Sequence, residues 1–227
     1  MTPLQQRLQS VRDRIAGACS RAGRDPAEVT LVAISKTMSA DMVREAFAAG
    51  QSVFGENRVQ EALGKMGALG EGPRWHLVGH LQKNKARQAV GAFELIHSVD
   101  SVELAQELDQ RAAARKIVQA VLLQANLADE ASKHGAGEGA VGPLIETAAA
   151  MPHLDVRGLM IIPPLEDDPE AARTWFRRLR DLRDRTVQQT GRPLPELSMG
   201  MTGDFEVAIE EGATIVRVGR AIFGERV

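Results

Sequence analysis

Short apolar runs recur along this chain at the spacing of strands separated by helices. That recurrence restricts the fold more than any other feature. Eight runs read as strands: Thr30–Ser35, Val53–Glu56, Trp75–Gly79, Leu95–Val99, Ala120–Asn126, Val156–Ile162, Glu196–Met201 and Ile215–Phe223. Most are continuous rather than alternating, as in a parallel sheet covered on both faces. Helical stripes lie between them. Leu4, Leu8, Val11, Ile15 and Cys19 form one before the first strand; Met42, Val43, Ala46 and Phe47 form the next, closed by Gly50. Leu104, Ala105 and Leu108 line another, and Trp175, Phe176, Leu179, Leu182 and Thr186 line the longest, after Pro169. The pattern predicts an α/β chain folded as a single (β/α)8 barrel of the TIM type over residues 1–227. A doubly wound open sheet is the competing architecture. Little chain follows the eighth run, so the helix ahead of the first strand is expected to cover the barrel where a last helix would sit.

The 28 Lys and Arg residues are balanced by 30 Asp and Glu, a net charge of −2. No global attraction to nucleic acid or to an anionic membrane follows. The single cysteine, Cys19, excludes an internal disulfide framework, a CxxC redox pair and a cysteine-rich zinc site. It falls on the first apolar stripe and reads as core. No apolar run is long enough to span a bilayer. The opening MTPLQQRLQSVRDR is polar and amphipathic, unlike a secretory signal, so a cytoplasmic protein is expected.

In a barrel of this type the chemistry sits where strands end and βα loops begin. Polar and glycine residues gather there: Ser35-Lys36-Thr37, Gly55-Glu56-Asn57, Gly79-His80, Gln124 and Asn126, Met160 before Pro163, Ser198 through Gly203, and Arg217 with Gly219. Lys36 follows VAIS and should emerge at the barrel mouth. A lysine in apolar surroundings near other cations loses its proton more readily and becomes a nucleophilic amine. A solvated lysine that merely ends a strand is the plain alternative. LSMGMTGDF passes from strand through glycines and a hydroxyl to a helix near Asp204. Backbone N–H groups in such a turn, with the Thr202 hydroxyl, suit a phosphate; an ordinary N-capped helix is the alternative. Asp204 would repel that anion and is assumed to point away. Alternation in VRVG puts Arg217 and Gly219 on one face. A buried guanidinium must find an acceptor, and a ligand ring nitrogen and the Glu56 carboxylate are both open.

Other constellations carry less. His76 and His80 are four apart on a strand, about 13 Å, too far to share a metal, and no metal site is expected. His134 and His153 read as loop residues. The arginines from Arg173 to Arg185 are interspersed with Asp181 and Asp184. They read as a solvated face or, less simply, as a surface for a partner.

VAISKT, FGENRVQEA, WHLVGHLQKNKAR, HSVDS, QANLADEASKHG, GLMIIPP, LSMGMTGDFEVAI and VRVGRAIFG occur in this order over nearly the whole chain. On these motifs the sequence resembles the pyridoxal phosphate homeostasis proteins. The resemblance implies a fold like the barrel domain of alanine racemase, without that enzyme's second domain. It implies pyridoxal 5′-phosphate (PLP) held as an aldimine on Lys36. Ser198, Met201, Thr202 and Gly219 then fall at the phosphate, Arg217 faces the pyridine nitrogen, and Asn57 and Met160 line the ring. Thr202 stands where many relatives have serine. Gly203 replaces a residue that is often polar. His80 is given no role, and Lys83 and Lys85 read as solvated lysines or a second, transient PLP site. The resemblance further implies a role in intracellular vitamin B6 and amino-acid homeostasis as carrier or regulator, with PLP-requiring apo-enzymes as partners and a monomer sufficient. No residue is assigned a catalytic role.

Composition bears on catalysis separately. Racemases of the alanine racemase type use a lysine and a tyrosine as their two bases, and this chain has no tyrosine. An arginine at the pyridine nitrogen is a donor only and leaves the ring unprotonated, a poorer electron sink. The alternatives are a PLP-dependent racemase of low activity and a cofactor-free Schiff-base aldolase.

Overall fold

A computed structural model describes residues 1–128, 134–164 and 167–224. Part of QANLADEASKHG, residues 129–133, lies outside the described residues. Eight parallel strands form the sheet: β1 (Thr30–Ile34), β2 (Val53–Glu56), β3 (Arg74–Leu77), β4 (Leu95–Val99), β5 (Gln119–Asn126), β6 (Leu154–Ile161), β7 (Glu196–Ser198) and β8 (Ile215–Val218). They pair in the order β4-β3-β2-β1-β8-β7-β6-β5, and a β4–β5 pairing closes the ring. The expected barrel is what the chain forms; the open sheet is not. A two-residue stretch, Ala136–Gly137, pairs with the end of β5 and was not foreseen.

The helices are α1 (Pro3–Arg21), α2 (Ala40–Ala48), α3 (Val59–Leu69), α4 (Ala86–Ala89), α5 (Val102–Arg115), α6 (Glu138–Ala149), α7 (Arg173–Thr190), α8 (Phe205–Glu210) and α9 (Arg220–Phe223). α1 begins on a capping box between Thr2 and Gln5 with Pro3 in the first turn. Its stripe of Leu4, Leu8, Val11, Ile15, Ala18 and Cys19 is buried. Each large aliphatic on it gains about 1.5–3 kcal/mol from burial. The helix packs against α8 and α9, the position anticipated for a covering helix. The Arg24 guanidinium just past its end donates to the carbonyls of Ile209 and Ala213, both at 2.8 Å, and ties α1 to the C-terminal side of the barrel.

Two of the expected strands stop three or more residues early. β7 ends at Ser198 because Gly200 has φ +89°, and a Cβ there would lie 2.6 Å from that of Ala208. β8 ends at Val218. Ala221, Ile222 and Phe223 continue the apolar run but form one helical turn, whose Ile222 carbonyl accepts from Arg7 Nε at 2.8 Å. An apolar run alone does not tell strand from buried helix.

The core has two shells. Val32, Val53, Leu95, Ala120, Leu122, Met160 and Ile215 fill the barrel interior. The larger shell lies between strands and helices and includes Val216 and Val218. The alternation read from VRVG therefore holds, and Arg217 points inward.

Candidate functional site

The register of the strands assembles the site. Val32 pairs with Arg217 and Ala33 with Val218, so the end of β1 lies beside Gly219. Ile34 pairs with Gly55, and that register continues toward Lys36 and Asn57. Gly219 fits this seam closely: a Cβ there would sit 3.3 Å from the Ile34 carbonyl oxygen. Across the seam the Gly219 N–H donates to Thr202 Oγ1 at 3.3 Å, joining the loops after β7 and β8. The register thus sets the end of β1, which leads to Lys36, between the Gly219 loop, joined to Thr202, and the end of β2, which leads to Asn57. Lys36, Asn57, Thr202 and Gly219 are partly exposed.

The loop after β7 holds its own carboxylate. Asp204 Oδ1 accepts from the Met201 N–H at 2.6 Å. Asp204 therefore turns back into the loop, and the Met201 N–H is engaged within it. The N–H groups of Thr202 and Gly203 donate to no backbone carbonyl among the described residues. A Cβ on Gly203 would meet nothing within 4 Å, so this rim is open. Burial pushes the Asp204 carboxyl up, against the hydrogen bond from Met201 and the charge of Arg217.

Beneath the mouth the largely apolar barrel interior holds one polar cluster. Arg217, 4% exposed, donates from Nη1 to Ser198 Oγ at 2.6 Å and from Nη2 to the Ile161 carbonyl at 2.8 Å. Glu56, the alternative acceptor, does not pair with it. The Ser198 hydroxyl, expected at a phosphate, is wholly buried and turned to Arg217 instead. It also lies 2.8 Å from His97 Nδ1, and His97 Nε2 lies 3.0 Å from His76 Nδ1. Desolvation pushes His76 down to about 3, aided by Arg74 and Arg157. Desolvation likewise holds His97 well below the usual histidine range, aided by His76 and Arg217. Both rings are neutral at neutral pH. Burial lowers Arg217 to about 10, offset in part by Asp204, and it stays a cation. Met160, paired with Ser198, is fully buried in the same interior layer.

On the outer side of β1 lies a second buried cluster. Lys65 Nζ donates to Glu56 Oε1 at 2.6 Å, to Glu61 Oε1 at 2.8 Å and to the Ser35 carbonyl at 2.6 Å. Ser35 Oγ donates to the same Glu56 oxygen at 2.7 Å. Burial raises the Glu56 carboxyl against the hydrogen bonds from Lys65 and Ser35. Burial also acts upward on Glu61, but the hydrogen bonds from Lys65 and the Thr37 N–H prevail and hold it low.

Sequence reasoning missed His97, Glu61 and Lys65. It also missed a cluster at the rim, where His80, Asp100 and His134 bring donor atoms within 4.8 Å of one another. The His80 and His134 rings are stacked, with centroids 3.6 Å apart and planes at 8°. Imidazole lone pairs lie in the ring plane, so two parallel planes share no point where both could ligate one ion. The stack reads as packing.

Comparisons with known proteins agree with this architecture. The alanine racemase N-terminal domain family matches residues 7–227. The chain is 46% identical over 222 residues to the pyridoxal phosphate homeostasis protein of Aquifex aeolicus, covering 97% of each. It is 44% identical to that of Pseudomonas aeruginosa, over 100% of this chain and 97% of the other. The structure of PipY from Synechococcus elongatus PCC7942 with PLP bound superposes with a TM-score of 0.87 at 38% identity, over 97% of this chain and 100% of PipY. Alanine racemase of Clostridium difficile 630 shares the fold, with a TM-score of 0.77 at 11% identity, but this chain spans only 56% of it. By family match and full-length identity, the chain belongs to the alanine racemase N-terminal domain family, among its pyridoxal phosphate homeostasis proteins.

Proposed function

We propose that this chain binds PLP at the β1–β8 corner and holds it covalently but reversibly on Lys36, as a carrier or regulator of the free cofactor. The observation that carries the reading is the register seam. It lays the end of β1, two residues before Lys36, beside the loops after β7 and β8, whose N–H groups and hydroxyl suit a dianionic ester. The residues fit the group in chemistry. Lys36 Nζ adds to an aldehyde carbon with loss of one water. The Thr202 and Gly203 N–H groups and the Thr202 hydroxyl offer phosphate donors, and the absence of a side chain at Gly219 admits close approach of the backbone. When bound, PLP supplies a reversible electrophile and, with its ring protonated, an electron sink.

Arg217 works against that sink. It has no proton-accepting form at neutral pH, so at the ring nitrogen it donates and leaves the ring unprotonated. Its two bonds to Ser198 and Ile161 fix the guanidinium, and the neutral histidines behind Ser198 bring no second charge. Asn57 would flank the ring. Ser198 supports Arg217 rather than the phosphate, and Met160 forms the interior floor. With no tyrosine in the chain, efficient two-base racemisation lacks its second base. Sequestration needs only the amine and the anion grip, and PLP-requiring apo-enzymes are the fitting recipients. No helix among the described residues is long and apolar enough to cross a membrane.

The test is an absorbance spectrum of the purified protein with PLP before and after borohydride, followed by peptide mapping. A reduced adduct on Lys36 is the expected result. Failure to take up PLP, or an adduct on Lys83, would refute the assignment. Rapid Lys36-dependent exchange of the Cα proton of L-amino acids in deuterated water would replace the carrier with a racemase.

A further inference from the structure

Lys36 sits between two peptide units held by the two members of one ion pair, the buried Lys65 and the partly exposed Glu61. The carbonyl before it, on Ser35, accepts from Lys65 Nζ at 2.6 Å. The N–H after it, on Thr37, donates to Glu61 Oε1. Glu61 and Lys65 are themselves joined at 2.8 Å, one turn apart on α3, and Glu56 at 0% exposure anchors Lys65 from β2. All three ammonium protons of Lys65 therefore have acceptors.

The backbone between these grips is strained. Thr37 has φ +67° and is one of two non-glycine residues with positive φ among the described residues. A β-branched residue pays a steric penalty there and persists only where its surroundings hold it. The Thr37 N–H bond to Glu61 is such a hold. Without it the turn has reason to relax toward negative φ, which would swing the Lys36 side chain off its axis.

We infer that Glu61 and Lys65 are positioning residues that hold Lys36 toward the barrel mouth by clamping the peptide units on either side of it. This rests on the reading of Lys36 as the PLP attachment. The two residues touch neither substrate nor cofactor; they act through the turn.

The experiment compares two properties. Attachment is read as the rate of borohydride-trappable adduct formation at Lys36 with PLP. The anion and ring grip is read as the affinity for pyridoxamine 5′-phosphate, which has no aldehyde. Glu61→Ala should slow attachment roughly tenfold, the scale of a released left-handed strain, and leave pyridoxamine 5′-phosphate affinity within about twofold. Glu61→Gln keeps an acceptor for the Thr37 N–H and should attach PLP at near the wild-type rate. Thr37→Gly in the Glu61→Ala background should recover most of the loss, because glycine adopts positive φ without penalty.

An unchanged attachment rate in Glu61→Ala overturns the inference. So does an equal loss of both properties, which marks a damaged fold, and so does failure of Thr37→Gly to rescue, which marks a charge effect. Lys65→Arg, which keeps a cation, guards against a Lys65 variant that does not fold. Attachment by it within about threefold of wild type is expected, and a loss as deep as that of Glu61→Ala counts against the clamp. If the wild-type chain takes up no PLP, the attachment reading itself fails, a result distinct from all of these.

Discussion

Two buried polar clusters flank β1, and they solve burial in opposite ways. The outer one, Glu56–Lys65–Glu61, sets one ammonium between two carboxylates, with Ser35 adding a bond to Glu56. The inner one, Arg217–Ser198–His97–His76, keeps a single cation and fills the remainder with groups that stay neutral. The difference follows from where each sits. The outer cluster lies between strand end and helix, where three charged side chains can converge. The inner one lies in a closed barrel that is otherwise apolar, where each added charge would meet a large desolvation cost. Charge pairing thus fixes backbone around Lys36. The chain of neutral groups fixes one guanidinium without adding a second buried charge.

The sharpest way to break this comparison is Lys65→Met. It strands the fully buried Glu56 carboxylate, and removal of one partner of a buried pair costs about 3–5 kcal/mol. Urea denaturation should show that loss; a change below about 1 kcal/mol would mean the outer cluster is not electrostatically coupled. Acid titration comes next. His76 and His97 are pushed down in the fold, so the unfolded chain binds more protons below its own histidine value. Their contribution is present in full above about pH 6.5 and is lost as pH falls toward about 3 for His76. Each should remove roughly 1 kcal/mol per pH unit over that window. The outer carboxylates move in opposite directions and partly offset: the low Glu61 value favours the fold above the unfolded carboxylate range, and the raised Glu56 value favours it below. Thermal melts from pH 7 to 4 should therefore steepen with the histidines and flatten in His97→Phe.

Ser198→Ala comes third. It removes the acceptor of Arg217 Nη1 and the partner of His97, at about 1–3 kcal/mol. The visible band of bound PLP should shift with it if Arg217 faces the ring. The smallest effect is Glu61→Gln, within about 1 kcal/mol in stability because Glu61 is partly exposed. A larger loss by calorimetry would place the weight of the outer cluster on Glu61 instead of Glu56.

Most of the barrel was legible because its strands are continuous apolar runs, and Val53–Glu56 and Leu95–Val99 fall as the sequence suggested. The place of Lys36 just past the end of β1 was legible because it follows the apolar run VAIS. Arg217 was legible from alternation, but its acceptor was not, since nothing local tells Ser198 from Glu56. Nothing in VQEALGKMGAL singles out Lys65; its burial comes from the end of β1 lying over α3, a tertiary fact. The spacing of Glu56, Glu61 and Lys65 was a signal that went unused. His97 could have been placed inside by counting two residues on from Leu95. The last turn, α9, was hidden because strand and buried helix look alike over the three apolar residues Ala221 to Phe223.

The seam between β8 and β1 has a consequence for biosynthesis. Residues separated by most of the polypeptide meet there. The first strand leaves the ribosome long before the last, so the ring shuts, and the corner beside Gly219 forms, only at the end of synthesis.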